Sequence, residues 1–415
     1  MRALLGPIVL LLLESIARAQ PAAAPPPVPP AAPPAPPAMR LEVHGFVGGS
    51  LYLQDAAIGP FNGGGAWFVT GAPTSDRWSL GGDVRQSRIN ISVAGPPVMA
   101  GATPKAVVEL DLFGGNGAGA FGDASVLPRL RVAYAELGWA HSTVQVGQAA
   151  SLVLAMVPAT VGHAAYPLTY SAGTIGWRFP GVFATHTIAL AAPKTAIEVA
   201  AMIARPAWQN PNNAAFDAKP FVSQDSFGMG LGEASGLPQL EARIKFVSPR
   251  LEAFGAAHFH RVDRTGTGAG AGAQVDLDVV AANAGIKLKL APITVAASGY
   301  VGKNLAPLCG TLLQFQGAAS GDVHEWGAWT QAEYAITPQL SAFALAGIAR
   351  PRASEARAAG LTRIDNRVAS GMMRYLVGGY AVGLEVTRWH TRVISGAGST
   401  LLRGDQVMTS ATFTF

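Results

Sequence analysis

Charged side chains at alternating positions are the chemistry this sequence offers. Arg88 lies in SRINISVAG, Glu109 and Asp111 in AVVELDLFGG, Arg129 and Arg131 in PRLRVAYAEL, and Arg243 with Lys245 in PQLEARIKF. Spacing of i and i+2 puts such charges on one face of a strand and the apolar residues between them on the other. These groups can pair with and orient charged solutes, but no Ser, His and carboxylate fall where a nucleophile and its base would be needed. His258 and His260 share a strand face; without a third His or carboxylate nearby they read as interior lining rather than a metal site. The single cysteine, Cys309, excludes an intramolecular disulfide and a cysteine-cluster metal site, and reads as a bystander thiol. The glycine-rich run from Gly266 to Gly272 follows no strand-to-helix transition and reads as an outer loop, not a phosphate cradle. The sequence therefore assigns no catalytic residue, cofactor or metal.

The elements that must position those charges follow from composition. Of 415 residues only 13% are charged, with 30 Lys+Arg against 25 Asp+Glu, about half the usual charged fraction. The mean hydropathy is +0.28. So little charge cannot coat an ordinary soluble surface, and the arginines are too scattered to form a nucleic-acid face. Uninterrupted apolar runs of roughly 20 residues, which membrane helices need, do not occur after the N-terminus. A closed barrel reconciles the two facts, because it satisfies its backbone internally while one face meets lipid and the other water.

The N-terminal stretch MRALLGPIVLLLLESIARAQ has a basic start, a short apolar core and a small-x-small site at Ala17 to Ala19. It reads as a signal peptide over residues 1–19. Residues 20–39 are proline-rich and read as an extended periplasmic linker, with a tether as the alternative. Residues 40–415 are expected to form the barrel.

Segments of about ten residues recur through that region, the length of a tilted membrane strand. Short connections at Ser248-Pro249, Ala291-Pro292, Thr337-Pro338 and Gly378-Gly379 are expected on the periplasmic side. Long ones, including 54–85, 114–127, 208–236, 264–274 and 304–323, are expected outside. The fold class is all-β: an antiparallel up-and-down transmembrane barrel of about sixteen strands, enough for an aqueous channel. In the segment around Arg88, Ile89, Ile91 and Val93 face lipid, and Arg88, Asn90 and Ser92 face the lumen. Charge at mid-bilayer on the lipid side costs about 2 to 4 kcal/mol, so Glu109, Asp111, Arg129, Arg131, Arg243 and Lys245 are placed inside as well. A lumen with opposed basic and acidic ladders is expected. The last strand alternates to an aromatic end at Phe415, which resembles the signal read by the barrel-assembly machinery.

The order SRINISVAG, AVVELDLFGGN, LRVAYAELGW and VQVGQAAS, followed by a Pro-containing insertion, resembles the DcaP-like porins of Gram-negative outer membranes. The likeness rests on Ser87 and Arg88, Glu109 to Gly114, Arg129 to Tyr134, and Gly147 with Gln148, about the first third of the barrel region. Ala149 and Ala150 stand where the family pattern has a Trp, and the proline-rich segment replaces an N-terminal coiled coil. The resemblance implies a homotrimer and an inward-folded constriction loop at residues 152–174, which carries Pro158 and Pro167.

The function expected from these readings is passive diffusion of small hydrophilic solutes, with anionic ones favoured. Expected partners are outer-membrane lipid, lipopolysaccharide and the assembly machinery. An adhesin or receptor barrel, or a lipid-modifying barrel enzyme, is the alternative.

Overall fold

Alternation decides this architecture. The computed structural model describes residues 39–71, 78–118, 124–206, 231–263, 276–316 and 321–415. The signal-peptide and most of the linker readings, and the run from Gly266 to Gly272, lie outside the described residues.

The chain opens with β1 (Arg40–Gln54) and a small hairpin, β2 (Ala57–Pro60) with β3 (Ala66–Gly71). It continues through β4 (Ser79–Asp83), β5 (Arg88–Ala94), β6 (Thr103–Ala118), β7 (Ala124–Gly138), β8 (Ser142–Ala150), β9 (Arg178–Ala189) and β10 (Ala196–Ala204). Then come β11 (Gln239–Val247), β12 (Leu251–Asp263), β13 (Asp276–Leu290), β14 (Ile293–Lys303) and β15 (His324–Ala335). The last are β16 (Leu340–Pro351), β17 (Arg363–Val377), β18 (Tyr380–Ser395) and β19 (Gly398–Thr414).

Seventeen of these form one antiparallel sheet closed by β1 against β19. The upper half of β1 pairs with β4 and the lower half with β5, so those two make a single stave and the barrel has sixteen. No helix among the described residues is long and apolar enough to cross a membrane; the crossing is done by strands.

Outward positions carry Leu41, Val43, Ile89, Ile91, Val108, Leu130, Val382 and Leu384, all exposed, as a lipid-facing surface requires. Apart from Arg40 and His44 near the start of β1, which are exposed, their strand neighbours point inward and are buried or half-buried. The four short connections expected on the periplasmic side lie at the end that holds both chain termini of the barrel. Gly378 and Gly379 there have φ of 51° and 86°, the pair of positive values that a two-residue hairpin turn demands. Exposed Tyr334, Tyr375, Tyr380 and Phe413 cluster at the same end, and the Tyr380 and Phe413 rings stand 4.6 Å apart. Such aromatics mark the boundary of the apolar band.

Two long connections expected outside fold inward instead. From the 54–85 connection, the β2–β3 hairpin lies against the inner wall, with the Val69 N–H donating to Thr391 Oγ1 at 2.8 Å and Asn366 Nδ2 donating to the Trp67 carbonyl at 2.9 Å. From the 304–323 connection, residues 304–316 do the same: Gln314 Nε2 donates to the Arg363 carbonyl at 2.9 Å, and Leu305, Leu308 and Leu312 are fully buried. Their apolar side chains do not alternate as those of the lipid-facing staves do, and the barrel interior gives them a dry surface. The stretch between Tyr170 and Leu190 holds one barrel strand, β9.

Candidate functional site

The charged residues of β5, β6 and β7 converge because of register. Arg88 stands opposite Asp111, and Asn90 opposite Glu109; across the next ladder Asp111 stands opposite Arg129. All share the inner face. A register shift at Glu109/Leu110 leaves Arg131 as the extra residue of β7, a bulge beside Glu109 on the face that i and i+2 spacing already gives Arg129 and Arg131.

Asp111 is the hub. It is 1% exposed and accepts from Arg129 Nε at 2.9 Å, Arg129 Nη2 at 2.5 Å, Arg131 Nη1 at 2.8 Å and the Phe113 N–H at 3.1 Å. So many donors compensate the loss of water around a buried carboxylate. Glu109 accepts from Arg131 Nε at 2.7 Å and lies 3.5 Å from Arg88 Nε. The acidic and basic groups therefore interleave on neighbouring strands rather than facing each other across the lumen. Cross-strand neighbours stand only about 5 Å apart, so opposite charges in register pair along the wall.

The patch extends past the expected residues. Arg85 forks onto Asp83 at 2.9 Å from both Nε and Nη2 and lies 4.5 Å over the Phe113 ring. Arg178 stacks on Trp177 at 4.9 Å, and Trp177 stacks on Tyr166. Five arginines (Arg85, Arg88, Arg129, Arg131, Arg178) thus share this region with three carboxylates (Asp83, Glu109, Asp111), and the net sign is positive.

Against this patch runs the segment 151–177. It follows the inner wall around the barrel, tied by one polar side chain after another. Ser151 Oγ and the Leu152 N–H donate to Glu241 on β11 at 2.7 and 2.5 Å. Asn283 on β13 donates to the Val153 carbonyl at 2.6 Å. Gln331 on β15 both accepts from the Ala159 N–H at 2.9 Å and donates to its carbonyl at 2.7 Å. Glu385 on β18 accepts from Val161 N–H at 3.0 Å. Gln86, between β4 and β5, accepts from Ala164 N–H at 2.5 Å. Arg88 Nη2 then donates to the Ala164 carbonyl at 2.8 Å, Arg131 Nη1 to the Ala165 carbonyl at 3.2 Å, and Arg129 Nη1 to the Tyr166 hydroxyl. On the return, Asn366 on β17 donates to the Ser171 carbonyl at 2.9 Å. At the tip Gly173 has φ of 116° and lies directly against the β15 backbone at Ala328, where no side chain fits.

Arg243 and Lys245 face inward on β11 but do not join this patch. Lys245 Nζ pairs with Glu252 on β12 at 2.8 Å, and five staves separate them from Arg88. His258 and His260 are buried on the inner face. His258 Nδ1 lies 2.7 Å from Glu241 and its Nε2 lies 2.8 Å from His260 Nδ1. They brace the carboxylate that holds Ser151. Among the described residues no group of three or more His, Cys, Asp or Glu could hold a metal.

Gln86, Glu241, Asn283, Gln331, Asn366 and Glu385 were not singled out by sequence. Five of them lie inside a strand, each a polar residue at an inward position in a largely apolar run, such as GLEVT or VAANAG. That parity was a usable signal.

No protein-family model matches the chain, and no curated protein sequence does. Solved structures do match. The outer membrane channel DcaP of Acinetobacter baumannii superposes with a TM-score of 0.68 at 16% identity, over 91% of this chain and 97% of that one. The chain has the outer-membrane porin fold. OmpF of Salmonella typhi, solved with daunomycin, matches at TM-score 0.54 and 14% identity over 90% of this chain and 97% of its own. OmpT expressed in the outer membrane of Vibrio cholerae matches at 0.51 and 9% over 91% and 98%. The porin likeness spans the whole barrel, well beyond the first third that carries the sequence resemblance to DcaP-like porins.

Proposed function

We propose that this protein is a porin: a water-filled outer-membrane channel for passive diffusion of small hydrophilic solutes, with anions preferred. In this reading residues 1–19 direct export, residues 20–39 form a periplasmic linker and residues 40–415 form the barrel. The observation that carries the proposal is the arginine-rich patch on β5, β6 and β7 faced by the inner segment 151–177. A charged surface beside a narrowed passage selects ions by sign, as charged rings do in other channels. Arg88, with its side chain 20% exposed, lines the passage; Glu109 and Asp111 hold Arg129 and Arg131 in place; Arg243 and Lys245 line another sector of the wall. The segment 151–177 acts as the constriction loop.

The likeness to a channel of Acinetobacter baumannii supports the same reading, and the family resemblance supports a homotrimer. The alternating last strand, β19, is proposed as the segment through which the assembly machinery inserts the barrel. The test is reconstitution of folded protein into a planar bilayer. Discrete conductance steps are expected; folded, inserted protein that passes no current would instead favour an adhesin or receptor barrel.

A further inference from the structure

Segment 151–177 carries one histidine that its anchoring does not use. His163 lies between two residues that Gln86 grips from either side: Gln86 Nε2 donates to the Gly162 carbonyl, and Gln86 Oε1 accepts from the Ala164 N–H at 2.5 Å. The imidazole between those grips is 3% exposed, and neither of its nitrogens makes a hydrogen bond. Buried polar atoms are rarely left so.

The place it occupies is a junction. The turn Gly63–Gly65, between β2 and β3, sets Gly64 directly against the Gly162 carbonyl. The same Gly64 backbone lies beside the ring but outside hydrogen-bond geometry. Met408 of β19 closes on Gly162, and Gly383 of β18 on Val161.

The ionisable groups that face the ring are Glu385 from β18 and Asp83 from β4; the turn and the Met408 contact add none, and Tyr52 of β1 lies over Gly63. Both carboxylates are already engaged. Glu385 accepts from the Val161 N–H and from Ser370 Oγ, each at 3.0 Å, and Asp83 takes the Arg85 guanidinium at 2.9 Å. Burial therefore holds the imidazole below its ordinary range, and Glu385 and Asp83 offset only part of that. A protonated ring presents two N–H donors, and a buried charge without partners is costly.

We propose that His163 is an acid latch on the inner segment: its protonation releases residues 161–165 from the turn, from Glu385 and from Gln86, and with them the hold of Arg88 and Arg131 on the segment. The effect on current rests on the channel reading above; the release itself does not. The docked segment favours the neutral ring, while the released one has an ordinary histidine and binds more protons. Docking is thus strongest above about pH 6.5. It weakens as the pH falls below that, by up to about tenfold per pH unit until the lowered value is reached. Larger, noisier channels follow in acid.

The test reads amide hydrogen exchange of the folded barrel in detergent at about pH 7.5 and about pH 5, either side of the ordinary histidine range, with intrinsic exchange corrected for pH. Protection of the Val161, Ala164 and Ala165 amides should fall by about tenfold in acid, and by more than that of Leu152 and Val153, which Glu241 holds. His163→Leu, which has no charge to gain, should keep its protection at both pH values and conduct as wild type near neutrality. His163→Gln gives the same comparison where the leucine variant does not refold. In planar bilayers acid should enlarge the wild-type channels and not those of the variant. Equal wild-type protection at the two pH values would overturn the latch, as would the same acid loss in the variant. An equal loss at Leu152 and Val153 would also overturn it, because the response would then belong to Glu241 and its two histidines. Acid loosening in a barrel that passes no current would sink the porin reading and leave the latch standing.

Discussion

Arg88 Nη2 donates to the Ala164 carbonyl at 2.8 Å, which ties the charged wall of β5 to the inner segment that faces it. In the proposed channel this one guanidinium would both set charge in the passage and help fix its width. Arg88→Ala removes a half-buried cation and one tether together. Reversal potentials in a salt gradient should shift toward cations, and single-channel conductance should rise modestly. An unchanged reversal potential would remove Arg88 from the selectivity surface.

Glu241 holds the entrance of the segment, accepting from Ser151 Oγ and the Leu152 N–H while His258 braces it. Glu241→Ala strands those buried donors at about 1 to 3 kcal/mol each. The barrel itself keeps its ladders. The expected result is a lower midpoint of heat-induced gel-mobility change together with larger, noisier channels; wild-type conductance would show that this anchor is dispensable.

At Gly173 the backbone sits at φ of 116° with β15 directly against it. Gly173→Val adds backbone strain of order 1 to 3 kcal/mol and a clash with the Ala328 backbone. The segment should detach locally, and limited proteolysis should cut within residues 151–177 of the variant but not of the wild type.

Cys309 is 3% exposed, and burial pushes its thiol above its ordinary range. A polar maleimide should leave it unmodified in the folded barrel and label it fully after heating in detergent, as mass spectrometry can count. Labelling at native temperature would mean that residues 304–316 leave the inner wall readily.

Phe415 closes the barrel through its backbone: its N–H donates to the Gly45 carbonyl at 3.0 Å, and Gly45 N–H donates to its carbonyl at 3.1 Å. Deleting Phe415 removes both and the terminal aromatic. Less protein should reach the outer membrane, while barrels that do insert should conduct as before; altered single-channel conductance would contradict that separation.

The strands were legible because membrane strands obey a period of two that composition cannot hide. Ile89, Ile91 and Val93 declare their face, and Arg88 and Asn90 the other. What pairs with what was less so. That Asp111 lies between Arg88 and Arg129 depends on the register of three strands and on a bulge beside Arg131, which no single segment encodes. The inward hairpin around Trp67 and the stretch around Leu308 carry no strand period that lipid-facing parity could sort, and only a closed interior gives them a surface to bury against. Glu241, Asn283, Gln331 and Glu385 look alike in sequence. Each is one inward polar residue, and their common role appears only when segment 151–177 passes all four.

The central claim, a channel whose selectivity is set by the arginine-rich patch facing segment 151–177, is tested most directly by one comparison. Reversal potentials of wild type and Arg88→Ala are measured in planar bilayers under the same salt gradient. Discrete channels with an anion-selective potential are expected in the wild type, with a clear loss of that selectivity in the variant. Cation selectivity in the wild type, or identical potentials in the two proteins, would contradict it.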